Sequence, residues 1–389
     1  MRDRQDAGVS TTPLATVADA RAPIVYGIVQ PGPEIPGGVP FVQSRDVGGA
    51  VDVSALNRTS QQIAEQYRRS KIAPGDILFS LRGNIGQSSM TPAVLDGANI
   101  ARGVARIRVG AKGDPEFVRY VLQGPVLQRL IARNANGSTF RELSIEEIRK
   151  LPIPDVSLPE QRKIAEILRT WDEALEMLTA LRAAKARRLA GVGRALLDRA
   201  ADASATVTKP LATLTRIVKG QQLNKLDISE GQYPVWNGGV TPSGFHNTWS
   251  TEGSTITISE GGNSCGFVNL AEARFWLGGH CYALQDLSQV IERDFLFHAL
   301  KSREPEIMRL RVGSGLPNIQ RADLERLPVV VPPQDLQQKI ARALNAGNAE
   351  LALLEAEIEA LTRQKRGLMQ KLLTGEWRLE PDKLHEVAR

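Results

Sequence analysis

Cysteine and histidine have the widest chemical repertoire of any side chains, and this sequence uses few of them. It has two cysteines and four histidines. His246, Cys265, His280 and Cys281 are the set that could converge on a metal ion. Their spacing argues against it, because no Cys-x2-Cys or His-x3-His pair of the kind tetrahedral zinc needs is present. Core or loop roles are the simpler reading, and no metal ligand is predicted. A second set, Pro154-Asp155 with Glu160 and Lys163, superficially resembles a nuclease's carboxylates and lysine. Its spacing is loose. A proline-bounded helix start with a charged first turn is the far simpler reading. No GxxxxGK[ST] loop and no GxGxxG turn occurs. No catalytic residue is assigned, and the chain reads as a non-enzyme.

The chain has 389 residues, enough for two or three domains. It is 42% hydrophobic and 24% charged, with a formal net charge of +6 and a pI of about 9.4. That balance is compatible with an anionic partner without requiring one. Two cysteines make no disulfide framework, which points to a reducing compartment. The start of the sequence lacks a signal-peptide core, and no eighteen-residue apolar run exists. A cytoplasmic protein without a membrane partner is expected.

One long amphipathic stretch organises the chain. Leu158–Leu197 recurs without a gap 176 positions onward, so that Lys163-Ile164-Ala165 falls on Lys339-Ile340-Ala341 and Leu196-Leu197 on Leu372-Leu373. In the second copy Val330-Val331 replaces Pro154-Asp155 and Leu336 replaces Glu160. Such a period marks a duplicated domain-plus-helix unit rather than a solenoid. Leu168, Trp171, Leu175 and Leu178, and then Leu344, Leu351, Leu354 and Ile358, follow steps of three and four that predict a coiled-coil seam. Arg182 and Lys185 interrupt the first seam, and Gly347 and Lys365 the second. The shared Gly191 and Gly367 suggest a close approach of another backbone. Periodicity alone also allows a helical hairpin that is only core.

A globular domain with short strands and helices precedes each long helix. The boundaries read as a flexible N-terminus at 1–13, a domain at 14–150, a helical spacer at 151–200, a linker at 201–209, a second domain at 210–326, a second spacer at 327–376 and a tail at 377–389. Strands are expected at 24–29, 40–42, 76–80 and 104–109, and later at 255–259, 275–277 and 282–284. Helices are expected at 60–70, 115–132 and 294–301. The domain ends repeat at the same offset, Ile319 on Leu143 and Leu327-Pro328 on Leu151-Pro152, whereas their middles differ strongly. The fold class is α+β: two globular α/β domains separated by two long antiparallel helices forming a coiled coil, with internal pseudo-twofold duplication.

This frame resembles the specificity subunit of type I restriction–modification systems, over nearly the whole chain. Tyr26-Gly27-Ile28-Val29-Gln30-Pro31-Gly32, Gly75-Asp76-Ile77-Leu78 and Gly97-Ala98-Asn99-Ile100-Ala101-Arg102 are similar to motifs of that family's first target recognition domain. So are Trp236-Asn237-Gly238-Gly239 and Gly261-Gly262-Asn263-Ser264-Cys265-Gly266 to those of the second, and Leu158–Ala165 to its first conserved helix. The resemblance implies a DNA-binding, non-catalytic subunit. Double-stranded DNA and two methyltransferase subunits would be its partners, with motor–nuclease restriction subunits where these are encoded. S-adenosylmethionine, ATP and Mg would belong to those partners, and no cofactor to this chain. Each recognition domain would read one half of an asymmetric bipartite target, and the helices would set the spacer.

Base edges are read by Arg or Lys on guanine and by Asn or Gln on adenine. The DNA-binding candidates are Gln43, Ser44, Arg45, Arg82, Asn84 and Arg102 in the first domain. In the second they are Gln221, Asn237, Asn263, Arg311 and Asn318. Ser138, Thr139 and Ser314 lie in polar turns suited to phosphate. A purely structural loop role stays open for each. Arg182, Lys185, Arg187, Arg188 and Arg194 crowd the second half of the first helix, facing either DNA or a partner. Two rivals share these features: the recognition half of a single-chain restriction–methylation enzyme, and a coiled-coil adaptor without DNA contact.

Overall fold

The computed structural model describes residues 9–134, 142–223, 231–313 and 317–379. It divides into two compact units, Met1–Met177 with Ile358–Arg389, and Leu178–Glu357. The division falls inside both long helices, Leu158–Ala201 and Gln334–Thr374.

In the first unit the strands Val25–Tyr26, Val104–Ile107, Ile77–Ser80 and Ser88–Met90 form a four-stranded antiparallel sheet in that order. A three-stranded sheet has Val39–Val42 in the middle. It is antiparallel to Arg58–Thr59 and parallel to Asn99–Ile100. Ile77, Phe79, Ala105 and Ile107 pack on Phe117, Val118 and Tyr120 of a covering helix. The helix expected over 115–132 is two, Pro115–Gln123 and Pro125–Asn134. Pro125 has no N–H and disfavours helical backbone in the residue before it, so the first helix ends at Gly124. Ser144 and Glu147 form the capping box that starts Ile145–Arg149.

Two stretches read as loose contain strands. Thr11–Pro13, within the supposedly flexible 1–13, pairs antiparallel with Pro152–Pro154. Val207–Pro210, overlapping the supposed linker, pairs with Pro328–Val331. Each partner strand is the proline-rich connector before a long helix. Sequence periodicity cannot detect such pairs because they are short and distant in the chain. Beyond the second helix, Arg378 donates from Nε and Nη2 to Glu160, both at 2.9 Å, so the tail is anchored there.

The second unit repeats the topology. Arg216–Lys219, Cys281–Gln285, Thr255–Ser259 and Val268–Ala271 make the four-stranded sheet. Tyr233–Trp236 lies between Phe245–His246 and the parallel Trp276–Leu277. The domain middles, so different in sequence, therefore carry one strand order.

The long helices run antiparallel. In the second unit Arg182 pairs with Glu355 and Lys185 Nζ lies 2.6 Å from Glu350, and Leu189 meets Gly347 while Gly193 meets Leu344. As one number rises the other falls. In the first unit Lys365 bonds Asp172. Each polar break in the seam thus has a charge opposite it, and Gly347 makes room for Leu189. Leu168 and Leu344 are buried, whereas Trp171, Leu175, Leu178, Leu351, Leu354 and Ile358 are half-buried.

The reading of Gly191 and Gly367 is corrected. A Cβ on either would meet nothing within 4 Å. Both sit in exposed helix, so Gly191→Ala and Gly367→Ala should each raise stability by up to about 1 kcal/mol, through the lower backbone entropy of the unfolded chain. Urea denaturation reads this directly. A lowered midpoint would contradict the open surroundings.

Candidate nucleic-acid interface

The hairpin that follows the central sheet strand builds the site in each unit. In the first unit Leu81 N–H donates to Gly103 O (2.8 Å), and Leu143 N–H donates to Leu81 O (3.1 Å). In the second unit Glu260 N–H donates to His280 O (2.9 Å), and Ile319 N–H donates to Glu260 O (2.8 Å). These bonds make Leu81 and Glu260, Gly103 and His280, and Leu143 and Ile319 equivalent. Arg82 and Gly261 follow as equivalents, bridged to Glu142 and Asn318. Gln43 and Asn237 match too, because Ala101 N–H bonds Val42 O and Gly278 N–H bonds Trp236 O, each at 2.8 Å.

The first unit brings three candidates together. Arg45, Arg82 and Asn84 line one concave surface of about 1220 Å³, with Asp46, Gln87 and Gln128. Arg82 Nη2 donates to Glu142 Oε2 at 2.6 Å. That hydrogen bond raises the arginine's pKa above its ordinary value, so it stays charged. Arg45 Nη2 donates to Asn57 Oδ1 at 2.9 Å. Asn84 is exposed at the hairpin tip. Gln43 and Ser44 are half-buried and hold the loop: Gln43 N–H donates to Asp46 Oδ2 (2.8 Å) and Ser44 Oγ donates to Gly103 O (2.7 Å). Arg102 is exposed on the turn beside them. Exposed Gln87 was not among the sequence candidates. It directly follows the hairpin turn, but only the strand pairing of Ile77–Ser80 with Ser88–Met90 locates that turn.

The second unit groups its candidates differently. Val312 bridges Asn318, which bridges Gly261, so the segments bearing Arg311, Asn318 and Asn263 adjoin. Gln221 bridges Gly278, and Asn237 Oδ1 accepts from His280 N–H at 3.2 Å. Gln221, Asn263 and Arg311 are exposed, and Asn237 and Asn318 half-buried. Glu260, also missed, is the hub. Its buried carboxylate accepts from Lys219 Nζ (2.6 Å) and Tyr282 Oη (3.1 Å). Burial and that carboxylate push the Tyr282 pKa up, so the phenol keeps its proton. Ser138, Thr139 and Ser314 lie outside the described residues.

Cys265 Sγ donates to Glu260 O at 2.9 Å, and burial pushes the Cys281 thiol up to about 12. His246 rests on the Trp276 ring. Among the described residues no group of three or more His, Cys, Asp or Glu side chains is placed to hold a metal. Glu160 is engaged by Arg378, and Lys163 by Glu166 at 3.1 Å, not by each other. On the first long helix Arg182 and Lys185 face acids of the second, while Arg187, Arg188 and Arg194 are exposed.

The sequence pattern of a family described as the type I restriction modification DNA specificity domain matches residues 34–184 and 207–363. The chain belongs to this family. Its two matches coincide with the two domain-plus-helix repeats. A putative type I specificity subunit of Mycoplasma pneumoniae is 36% identical over 188 residues, covering 46% of this chain and 48% of that one. The type I restriction enzyme EcoBI specificity subunit of Escherichia coli is 32% identical, covering 40% of this chain and 33% of its own. The chain thus spans about half the length, or less, of these curated relatives. A solved S subunit from Mycoplasma genitalium aligns over 96% of this chain and 98% of its own, with a TM-score of 0.59 at 21% identity. That agreement is one of fold. No helix among the described residues is long and apolar enough to cross a membrane.

Proposed function

We propose that this chain is the sequence-specific DNA-binding specificity subunit of a type I restriction–modification complex, without catalytic machinery of its own. Each recognition domain reads one half of an asymmetric bipartite target. The helix pair sets the spacer and docks two methyltransferase subunits. Those subunits carry S-adenosylmethionine and methylate adenine N6 in the cytoplasm. Motor–nuclease subunits, where encoded, carry ATP and Mg.

One observation supports this reading above the others. Two domains share a strand order yet present different side chains at equivalent loop positions: Arg82 against Gly261, Gln43 against Asn237. A shared frame with divergent tips suits two readers of different sequences. Readers on one face of B-DNA sit about one helical turn, roughly 10 bp, apart.

Mapping methylated adenines in cells expressing the chain with its methyltransferase subunits tests this. The expected result is a split motif whose halves are unrelated and whose gap is fixed. A continuous motif, or a palindromic one, would refute two different readers.

A further inference from the structure

We propose that the half-site read by the first domain contains at least one G·C pair, whose guanine is contacted from the major groove by a guanidinium fork of the Arg45–Arg82 pair. The proposal rests on the DNA-reading assignment above and adds the identity of a base.

Both arginines line the same concave surface. Each is held at one edge by a neighbour: Arg82 by Glu142 at 2.6 Å, and Arg45 by Asn57 at 2.9 Å with Asp46 at 3.6 Å. A guanidinium has five N–H donors, and these contacts engage a minority of them. A fork oriented before binding loses little entropy when it engages a base. Only guanine offers two acceptors, O6 and N7, at the spacing such a fork matches.

Phosphate is the other anion-like partner of arginine, and the lining disfavours it. Asp46 and Asp52 are part of the same surface. Carboxylates beside the arginines repel a phosphate backbone. They suit the cytosine N4 amine, a donor paired across from guanine. Mixed forks and carboxylates thus match the edge of a G·C pair better than a backbone. Among the described residues the second domain's equivalent hairpin lacks this arrangement. Gly261 stands where Arg82 does, and of the five second-domain candidates four are amides: Gln221, Asn237, Asn263 and Asn318. The paired arginine forks are therefore specific to the first domain, where the second offers Arg311 alone among its candidates.

The full chain with its methyltransferase subunits, bound to duplexes carrying the mapped target, provides the test. Guanines in each half are replaced by 7-deazaguanine, which pairs normally but lacks the N7 acceptor. Replacement at the contacted guanine of the first half should weaken binding at least about tenfold, and replacement in the spacer should change nothing. Arg45→Lys and Arg82→Lys keep the charge, and Arg82→Lys can still pair with Glu142, but both lose the fork. In at least one of them the sensitivity to 7-deazaguanine should vanish. A first half-site with no G·C pair overturns the proposal. So does specific binding that ignores 7-deazaguanine. So does a uniform loss over all duplexes in the lysine variants with a shallower salt dependence, the signature of a phosphate contact. Failure to prefer any duplex sequence would overturn the DNA-reading assignment itself, and is told apart by the wild-type chain alone.

Discussion

Gln337→Ala should destabilise the second unit by about 3–5 kcal/mol. Gln337 is fully buried in the first turn of its long helix. Its Oε1 accepts from Glu292 N–H at 2.8 Å, and its Nε2 donates to Val290 O (2.9 Å) and Pro332 O (2.8 Å). Truncation leaves one buried backbone group, Pro332 O, and two half-buried ones without their partner, and a buried one alone costs about 1–3 kcal/mol. The damage spreads because Glu292 caps the helix Arg293–Ser302, accepting from Phe295 N–H at 2.5 Å. That helix brings Phe295, Leu296 and Leu300 to the core. Gln161 repeats the device in the first unit. It binds Asp114 N–H (2.8 Å) and Val156 O (2.9 Å), and Asp114 caps the helix that carries Phe117 and Tyr120. Gln161→Ala should cost the first unit a similar amount. The exposed neighbour Gln338→Ala is the control, expected within about 0.5 kcal/mol of wild type. Amide hydrogen exchange over 293–302 and 115–123 separates the two units. Equal protection in Gln337→Ala and Gln338→Ala would show that the clamp is dispensable.

Exchanging residues 14–150 for those of a relative should replace one half of the recognised sequence and leave the other untouched. The junctions favour a clean exchange. Leu14 N–H bonds Leu151 O at 2.8 Å, and Thr11–Pro13 pairs with Pro152–Pro154, both involving backbone that the exchange keeps on at least one side. Specific protein–DNA binding typically exceeds non-specific binding by about 10³-fold or more, so affinity for the old half-site should fall on that scale. Methylated-adenine mapping and competition binding measure both halves together. A change in both halves would contradict independent readers. A narrower exchange, of the loops 43–57 and 81–87 that supply the lining from Arg45 to Gln87, should change the same half.

The sequence by itself determined the duplicated frame. An uninterrupted offset from Lys163 to Lys339 needs no coordinates. The steps of three and four along Leu168, Trp171 and Leu175 identify a helix whose apolar stripe must be covered, because helical periodicity is local. Seven strands, among them those expected at 76–80 and 255–259, were legible because their β-prone runs are local too.

The tertiary structure alone decided what depends on distant partners. Glycine in a helix reads identically whether something packs on it or not, so Gly191 and Gly347 could be told apart only by what lies opposite. The common strand order of the two domain middles was hidden, since short buried strands are specified by pairing rather than by residue identity. Arg45 stands dozens of positions from Arg82 and Asn84, yet a long loop and a hairpin bring them to one surface. Long-range hydrogen bonds to Gly103 O, from Ser44 Oγ and from Leu81 N–H, make that meeting, and no local pattern encodes them.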